Sequence, residues 1–452
     1  MRRLSLLFVA SCAAVAACGP SLANQGPVRA PLAAQWFERA KTSYRAADFD
    51  DARDSARHAV GAAPNDAEIR ELSARIALVR LDFEEALRLT EGLESPAAHG
   101  IRGRAFWFTG DLEHAADELE AMLTDPTVKD GWARDVAGLA RRGAGRHPFG
   151  MEGGLVGAVE MPRALERVAL GAANVVPCEL DGERILALVA TGTSEVLLDT
   201  NSRREAAWVN LRFDRLEVKD VPALVQDLSP ITRQLGVPIK ALIGAQFLRH
   251  AHATFDRRGD QFVVRRNEAA APPDASRVPL YYVRGGGMLL RATINAKGDD
   301  PIPLLVDSSR PFPLFLQDSA WKKIGVDVAS LPPVPDAPNI KHGMVPMFRM
   351  GGFDLAKMPA IEGGDFSEIA NGVDIDLGGV VGADLLAFFR VTFADDGRFM
   401  WIEPDPTLLG PGSQPGPSQP PPGAGGPPGP GPGAAPPAAA PPAGTPPPAR
   451  AP

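Results

Sequence analysis

An internal duplication in the second half of the chain constrains its fold more than any other feature. Residues 242–248, LIGAQFL, recur 138 residues later as residues 380–386, VVGADLL, and residues 253–255, ATF, recur at the same offset as residues 391–393, VTF. From about residue 160 onwards, short runs of Val, Leu and Ile alternate with turn signals, which is typical of all-β domains. The sequence therefore predicts two tandem copies of one all-β module.

Each copy also contains a glycine turn, at residue 182 or 298, that leads through a short apolar strand to a loop with hydroxyl side chains. The two loops are Ala190-Thr191-Gly192 and Asp307-Ser308-Ser309. Together with the duplicated segments, these patterns resemble the retropepsin-like aspartic proteases, in which the loop is Asp-Thr-Gly. The resemblance implies two β-barrel lobes, at residues 155–268 and 276–404.

The same resemblance implies catalysis only if each lobe supplies an aspartate. Proteases of this family use two carboxylates about 3 Å apart that share one proton. Asp307 occupies this position in the second copy, whereas Ala190 occupies it in the first. Thr191 and Ser308 stand where the family has the hydroxyls that hold the two loops together. Structural glycines are expected at Gly192, Gly244 and Gly382. The resemblance implies that the backbone at Gly244 and Gly382 passes close under the motif loop, which leaves no room for a Cβ.

A second alignment of the first copy stays open at this point. Residues 196–202, VLLDTNS, also resemble the motif and would supply Asp199, with Asn201 in the glycine position. Asparagine tolerates left-handed backbone better than most residues do, but Asp199 lies 17 residues after the glycine turn, against nine for Asp307. Under this alignment an active Asp199/Asp307 dyad is possible; under the first, Asp307 is a structural remnant.

The first third of the chain, residues 32–146, has apolar residues at helical spacing and three copies of a short motif. The motif is ADFDDA at residues 47–52, LDFEEA at residues 81–86 and GDLEHA at residues 110–115, and the first two copies are 34 residues apart. This period resembles that of tetratricopeptide repeats. The resemblance implies stacked helix pairs with a concave surface for a peptide or protein partner. The alternative is that the repeats only space the N-terminus from the lobes.

The two ends of the chain predict targeting and disorder. Residues 1–18 combine an arginine pair, an apolar run too short to span a bilayer and the sequence VAAC, which is similar to a bacterial lipobox with Cys18 as the lipidated residue. The resemblance implies a membrane anchor, and Gly19 favours the outer over the inner membrane. Residues 405–452 are almost wholly Pro, Gly, Ala and Ser, which predicts a disordered tail.

Charge and motif content narrow the function further. A net charge of -8 without a basic run argues against nucleic-acid binding, and no motif predicts a metal or a cofactor. We therefore expect a multidomain α plus all-β protein with tetratricopeptide-like repeats, two retropepsin-like lobes and a disordered tail. The expected function is that of an envelope lipoprotein whose degenerate protease-like domain serves peptide or protein binding or assembly. The alternatives are an active aspartic endopeptidase and a protein in which the repeats carry the function while the lobes support them.

Overall fold

The computed structural model describes residues 29–162, 173–257, 259–283, 286–295, 300–335, 337–363 and 373–404. The predicted signal peptide with Cys18 and the predicted tail at residues 405–452 lie outside these residues. Helices form the first part of the described chain. Their bounds are α1 Pro31–Arg45, α2 Phe49–Ala62, α3 Ala67–Val79, α4 Phe83–Thr90, α5 Pro96–Thr109, α6 Leu112–Leu123 and α7 Gly131–Arg142.

Each copy of the repeated motif forms the turn between two helices. The motif aspartates Asp48, Asp82 and Asp111 are the N-caps of α2, α4 and α6, and each carboxylate accepts a hydrogen bond from the backbone N–H three residues later. The motif alanines have no exposed surface, so the helices of a pair approach closely; they are Ala52, Ala86 and Ala115. The pairs α1/α2, α3/α4 and α5/α6 therefore stack, and α7 packs on the last of them.

Lobe 1 is a closed β-barrel with one additional outer strand. Its elements are β1 Gly150–Gly153, β2 Val156–Glu160, β3 Val175–Leu180, β4 Glu183–Val189, β5 Val196–Asp199, β6 Ala207–Phe213, β7 Leu216–Gln226, α8 Ser229–Leu235, β8 Ile239–Ile243, α9 Ala245–His250, β9 Thr254–Asp256 and β10 Gln261–Arg265. The strand order is β1-β7-β5-β8-β4-β3-β6, and β6 also pairs with β7, which closes the barrel. The inner strands β4 and β8 run parallel to each other.

Lobe 2 repeats this arrangement. Its elements are β11 Ser276–Pro279, β12 Tyr281–Tyr282, β13 Met288–Ala292, β14 Ile302–Asp307, β15 Leu314–Leu316, α10 Asp318–Lys323, β16 Pro333–Val334, β17 Ala337–Met350, β18 Phe353–Gly363, β19 Gly379–Gly382, α11 Ala383–Leu386, β20 Phe389–Ala394 and β21 Phe399–Pro404. The strand order is β12-β13-β14-β19-β15-β18-β17-β16, and a bridge between Thr293 and Arg349 brings β17 back to the end of β13. Here β14 and β19 are the parallel inner strands.

The last strands of the two lobes join in one six-stranded sheet with the order β11-β21-β20-β9-β10-β2. At its centre the duplicated strands β9 and β20 pair with each other, with Phe255 opposite Val391 and Thr254 opposite Thr392. The two threonine hydroxyls are 2.9 Å apart and fully or nearly buried, so they hydrogen bond across the join. The two copies are therefore related by a local two-fold arrangement around this sheet.

The helical repeats pack against both lobes. Residues of α1 to α3 share one apolar core with lobe 2, which includes Leu289, Leu305 and Val380. Residues of α5 to α7 share another with Leu224 and Trp208 of lobe 1. The predicted fold class, helical repeats followed by two β-barrel lobes, is confirmed over the described residues. No helix in that part of the chain is both long enough and apolar enough to cross a bilayer.

Candidate functional site

The two duplicated loops meet where the lobes face each other. In lobe 2, Asp307 at the end of β14 pairs with Gly382 of β19. In lobe 1, the register of β4 and β8 ends with Val189 opposite Ile243, and the next residue, Ala190, donates its backbone N–H to the Ile243 carbonyl at 3.0 Å. Ala190 is therefore the structural counterpart of Asp307.

The loops are tied together by reciprocal hydrogen bonds of two hydroxyl groups, which we call the interlobe lock. The Thr191 hydroxyl accepts from the Ser308 N–H at 2.9 Å and donates to the Val306 carbonyl at 2.8 Å. The Ser308 hydroxyl accepts from the Thr191 N–H at 3.2 Å and donates to the Val189 carbonyl at 2.8 Å. Thr191 and Ser308 are both fully buried, so neither set of bonds competes with water. The structure thus brings together the two hydroxyls singled out in the sequence.

Asp307 is nearly buried, with 8% of its surface exposed, and both of its carboxylate oxygens have partners. Oδ1 accepts from the Ser309 N–H at 3.0 Å and from the Ser309 hydroxyl at 2.6 Å. Oδ2 accepts from Nε of Arg310 at 3.2 Å, and the Arg310 side chain is half exposed. Gly192 lies against this carboxylate, since a Cβ there would be 2.8 Å from Cγ of Asp307. The arginine partner was not anticipated from the sequence.

Ala190 presents only a methyl group to its surroundings. It is 1% exposed and belongs to an apolar cluster with Leu188, Leu228, Leu235 and Leu242. A methyl group can neither bind nor share a proton. At the position of lobe 1 that is equivalent to Asp307, the structure therefore has an apolar side chain where a protease needs a second carboxylate.

Asp199 lies elsewhere in lobe 1. By the register of β5 with β8, Asp199 is level with Lys240, whereas Ala190 is level with Gly244. Four strand residues separate these levels, which corresponds to about 13 Å. The structure therefore does not bring Asp199 to the loop that faces Asp307, and the alternative alignment lacks the geometry of a dyad.

The contacts of Asp199 are local. Its Oδ1 accepts from the Asn201 side-chain amide at 3.2 Å and from the Leu228 N–H at 3.3 Å, and the residue is 6% exposed. The sequence around Asp199 resembles the motif for a simple reason. In both copies, the strand that follows the motif loop also ends in a polar turn. Leu198 and Leu316 occupy equivalent positions in β5 and β15, and Gln317 stands where Asp199 does.

Gly244 and Gly382, in the second half of each lobe, are required because the backbone of another segment passes close to them. A Cβ on Gly244 would overlap the carbonyl oxygens of Ser194 and Glu195, and one on Gly382 would overlap that of Arg310. The close contact therefore involves the segment that leaves each loop and not the three motif residues themselves. This differs in detail from the sequence expectation, which put the contact under the motif.

A buried carboxylate that was missed in the sequence joins lobe 1 to the helical repeats. Oε1 of Glu195 accepts from Nε1 of Trp107 at 3.1 Å and from the Ser194 hydroxyl at 2.9 Å, and Oε2 accepts from Nε1 of Trp132 at 2.8 Å. Burial raises the pKa of Glu195, against the effect of these donors. In the sequence, Glu195 stands between Ser194 and the apolar residues 196–198, and no pattern there indicated this site.

Comparisons with known proteins give no match to a family model and none to a curated protein. Among solved structures, the chain is similar to the Arabidopsis OM64 TPR domain, with 17% identity, 25% of this chain and 92% of that chain covered, and a TM-score of 0.22. A retropepsin-like aspartic protease from Rickettsia conorii matches with 16% identity over 30% of this chain and 95% of that chain, with a TM-score of 0.22. The aspartic proteinase from Irpex lacteus matches with 11% identity over 56% and 98%, with a TM-score of 0.37.

At these identities and TM-scores the matches carry no argument about this chain, whose architecture follows from its own elements and strand pairing. The geometry described above gives the same architecture, tetratricopeptide-like helix pairs followed by an aspartic-protease-like pair of lobes. Within the described residues, no group of three or more His, Cys, Asp or Glu side chains could hold a metal ion.

Proposed function

We propose that the two lobes form a catalytically inactive aspartic-protease-like domain that supports polypeptide binding. The observation that carries this proposal is the methyl group of Ala190 at the position of lobe 1 that is equivalent to Asp307 in lobe 2. Aspartic proteolysis needs one carboxylate to activate water and another to polarise the scissile carbonyl, with one proton shared between them. A single carboxylate opposite an alanine cannot carry out both steps.

The surroundings of Asp307 support the same proposal. Its two oxygens accept hydrogen bonds from Ser309 and Arg310, whereas water activation requires an oxygen that faces the substrate. Leu305 lies two residues earlier on the same face of β14 and packs in one core with α1 to α3. The helical repeats thus pack against the face of β14 on which Asp307 also lies.

In this proposal the helical repeats provide the partner-binding surface and the lobes hold it in place. The repeats have the stacked helix pairs of a solenoid, an architecture whose extended concave surfaces serve binding. The lobes contribute apolar contacts to both ends of the stack, through Leu305 at α1 to α3 and Leu224 at α5 to α7. The interlobe lock then has a structural purpose without catalysis, because it fixes the positions of the two lobes, which support the repeats, relative to each other.

Asparagine at position 307 tests the role of the remaining carboxylate. We expect Asp307→Asn to change the free energy of unfolding by about 1 kcal/mol or less, because its arginine partner is half exposed and such pairs contribute little. Peptide cleavage should stay at the background level of the wild type. Asp318→Asn, which removes an exposed pair with Lys322 on α10, is the matched control. Cleavage by the wild type that Asp307→Asn abolishes, with folding retained, would contradict the proposal.

We further propose that the mature protein is anchored in the bacterial envelope through lipid on Cys18, with the outer membrane favoured. The motif VAAC at residues 15–18 supports this. Cys18→Ser should abolish incorporation of radiolabelled palmitate and move the protein from the membrane pellet to the soluble fraction, because stable attachment depends on the acyl chains. Equal membrane recovery of the variant and the wild type would refute the anchor.

A further inference from the structure

A partly open, mainly apolar cavity of about 110 Å³ lies between the helical repeats and lobe 2. The helices contribute mainly apolar side chains from α3 and α5, and lobe 2 contributes Tyr282 and Val283 as the opposite wall. The principal apolar lining residues are Leu78, Val79, Ile101, Phe108 and Met122. This cavity is smaller than the roughly 150 Å³ that accommodates a benzene molecule in an engineered protein core, so it has room for one aliphatic side chain.

The cavity continues into an open groove of about 900 Å³ between α1, α3 and residues 373–377 of lobe 2. Tyr44, Arg75 and Asp374 line both spaces, so one ligand can extend from the cavity into the groove. The groove wall carries both signs of charge, from Lys41, Arg45, Glu68 and Glu71. Walls of mixed charge suit a polypeptide backbone with its polar groups better than a single anionic head group.

Lobe 2 is fixed firmly enough to serve as one side of this site. Ile375 and Leu377 are buried in the core that lobe 2 shares with α1 to α3. The Asp376 N–H donates to the Arg45 carbonyl at 2.8 Å. The site therefore exists only where the repeats and lobe 2 are joined.

One ion pair stands at the junction of cavity and groove. Nη1 of Arg75 is 3.6 Å from the Asp374 carboxylate, and the two side chains are 37% and 47% exposed. An exposed pair of this length contributes little to stability and can be exchanged. A ligand carboxylate at the junction would compete with Asp374 for the guanidinium group, which prefers planar, two-oxygen partners.

We propose that the cavity and groove together bind a polypeptide segment of a partner protein, with an aliphatic side chain in the cavity and an adjacent acidic side chain at Arg75. This proposal rests on the proposed function, in which the repeats bind a polypeptide, and it specifies the chemistry of that partner. Asp374 acts as an internal competitor for the acidic side chain. Lobe 2 is then part of the binding site as well as its support.

The test uses the full-length protein and a fluorescein-labelled peptide, acetyl-Gly-Ser-Leu-Asp-Ser-Gly-amide, with binding measured by fluorescence anisotropy. We expect this peptide to bind about tenfold more tightly than versions with Leu replaced by Ser or Asp replaced by Asn. Ala97, exposed on α5, lines the cavity, so Ala97→Trp should weaken binding about tenfold by closing it. Ala62→Trp, at the exposed end of α2, is the matched control and should bind as the wild type does.

Two further variants test the junction. Arg75→Gln should abolish the preference for Asp over Asn in the peptide, whereas Asp374→Asn should tighten binding of the acidic peptide several-fold by releasing Arg75 from its internal partner. Four results would each overturn the proposed site. They are no binding of the peptide by the wild type, unchanged binding by Ala97→Trp, weaker binding by Asp374→Asn, and displacement of the peptide by phosphatidylglycerol vesicles. A cleavage assay tests the catalytic inactivity of the lobes separately. Failure of the proposed binding site can therefore be distinguished from failure of the proposed inactivity.

Discussion

Replacement of Glu195 by leucine is expected to lower the free energy of unfolding by about 3 kcal/mol. The substitution leaves the indole N–H groups of Trp107 and Trp132 and the Ser194 hydroxyl without their acceptor, and each buried unsatisfied donor costs about 1 kcal/mol or more. Glu195→Gln keeps one carbonyl oxygen and should lose about half as much. Urea denaturation followed by tryptophan fluorescence measures both values, because two of the six tryptophans contact this carboxylate.

The pH dependence gives a control for this prediction. Burial raises the pKa of Glu195 above its ordinary value of 4.5, so the native state binds this proton more tightly than the unfolded chain. The stability from this group is therefore complete below the unfolded-state pKa and is lost as pH rises through the folded-state pKa. We expect the stability advantage of the wild type over Glu195→Gln to shrink as pH rises above about 4.5. An advantage that grows with pH over this range would show that the carboxylate is stabilised in its ionised form.

Removal of one hydroxyl from the interlobe lock should have a similarly large effect. Thr191→Val keeps the shape of the side chain but leaves the buried Ser308 N–H and Val306 carbonyl without partners, which should cost about 3 kcal/mol. Ser308→Ala should cost about the same, because it leaves the equivalent groups at Thr191 and Val189 unpaired. Urea denaturation of the two single variants and the double variant measures these costs and their coupling.

The double variant should lose less than the sum of the single variants, because the four bonds involve the same two loops. Thr193→Val is the matched control, since the Thr193 hydroxyl bonds only within its own loop, to the carbonyls of Ala190 and Glu195. We expect it to cost about 1 kcal/mol. If Thr191→Val were no more destabilising than Thr193→Val, the lock would not hold the lobes together.

Local signals in the sequence predicted the helical repeats and the duplicated lobes well. The aspartate of each repeated motif is a strong N-cap residue, so Asp48, Asp82 and Asp111 mark helix starts without reference to the rest of the fold. The constant offset between the copies places Gly244 and Gly382 at the same point of their lobes, and the strand registers agree with this.

The choice between Ala190 and Asp199 could not be made from the sequence. Both follow apolar strands, and the distance from the Gly182 turn does not show which strand pairs with β8 in parallel. The strand registers decide it, because β4 is parallel to β8 and β5 is antiparallel to it. Pairing between distant segments is not encoded in any local pattern.

The docking of the repeats on the lobes was also outside the reach of sequence reasoning. Trp107 lies 88 residues before Glu195, and Trp132 lies 63 residues before it. Single aromatic residues and a single glutamate occur throughout soluble proteins, so no spacing indicates that these three form one network. The ion pair of Asp307 with Arg310 was missed for a different reason. Arg310 lies three positions after Asp307, and its side chain contacts that carboxylate only in one conformation of the loop.

The proposed loss of catalysis is tested most directly by incubating the full-length protein with a complex peptide library between about pH 2 and pH 7, because the pKa values of such a dyad are about 1.5 and 4.7 in pepsin. Mass spectrometry detects any cleavage, with pepsin as the positive control and pepstatin as the inhibitor. With Ala190 opposite Asp307, we expect no pepstatin-sensitive cleavage at any pH. Reproducible cleavage that pepstatin blocks and that Asp307→Asn abolishes would show instead that the domain is an active protease.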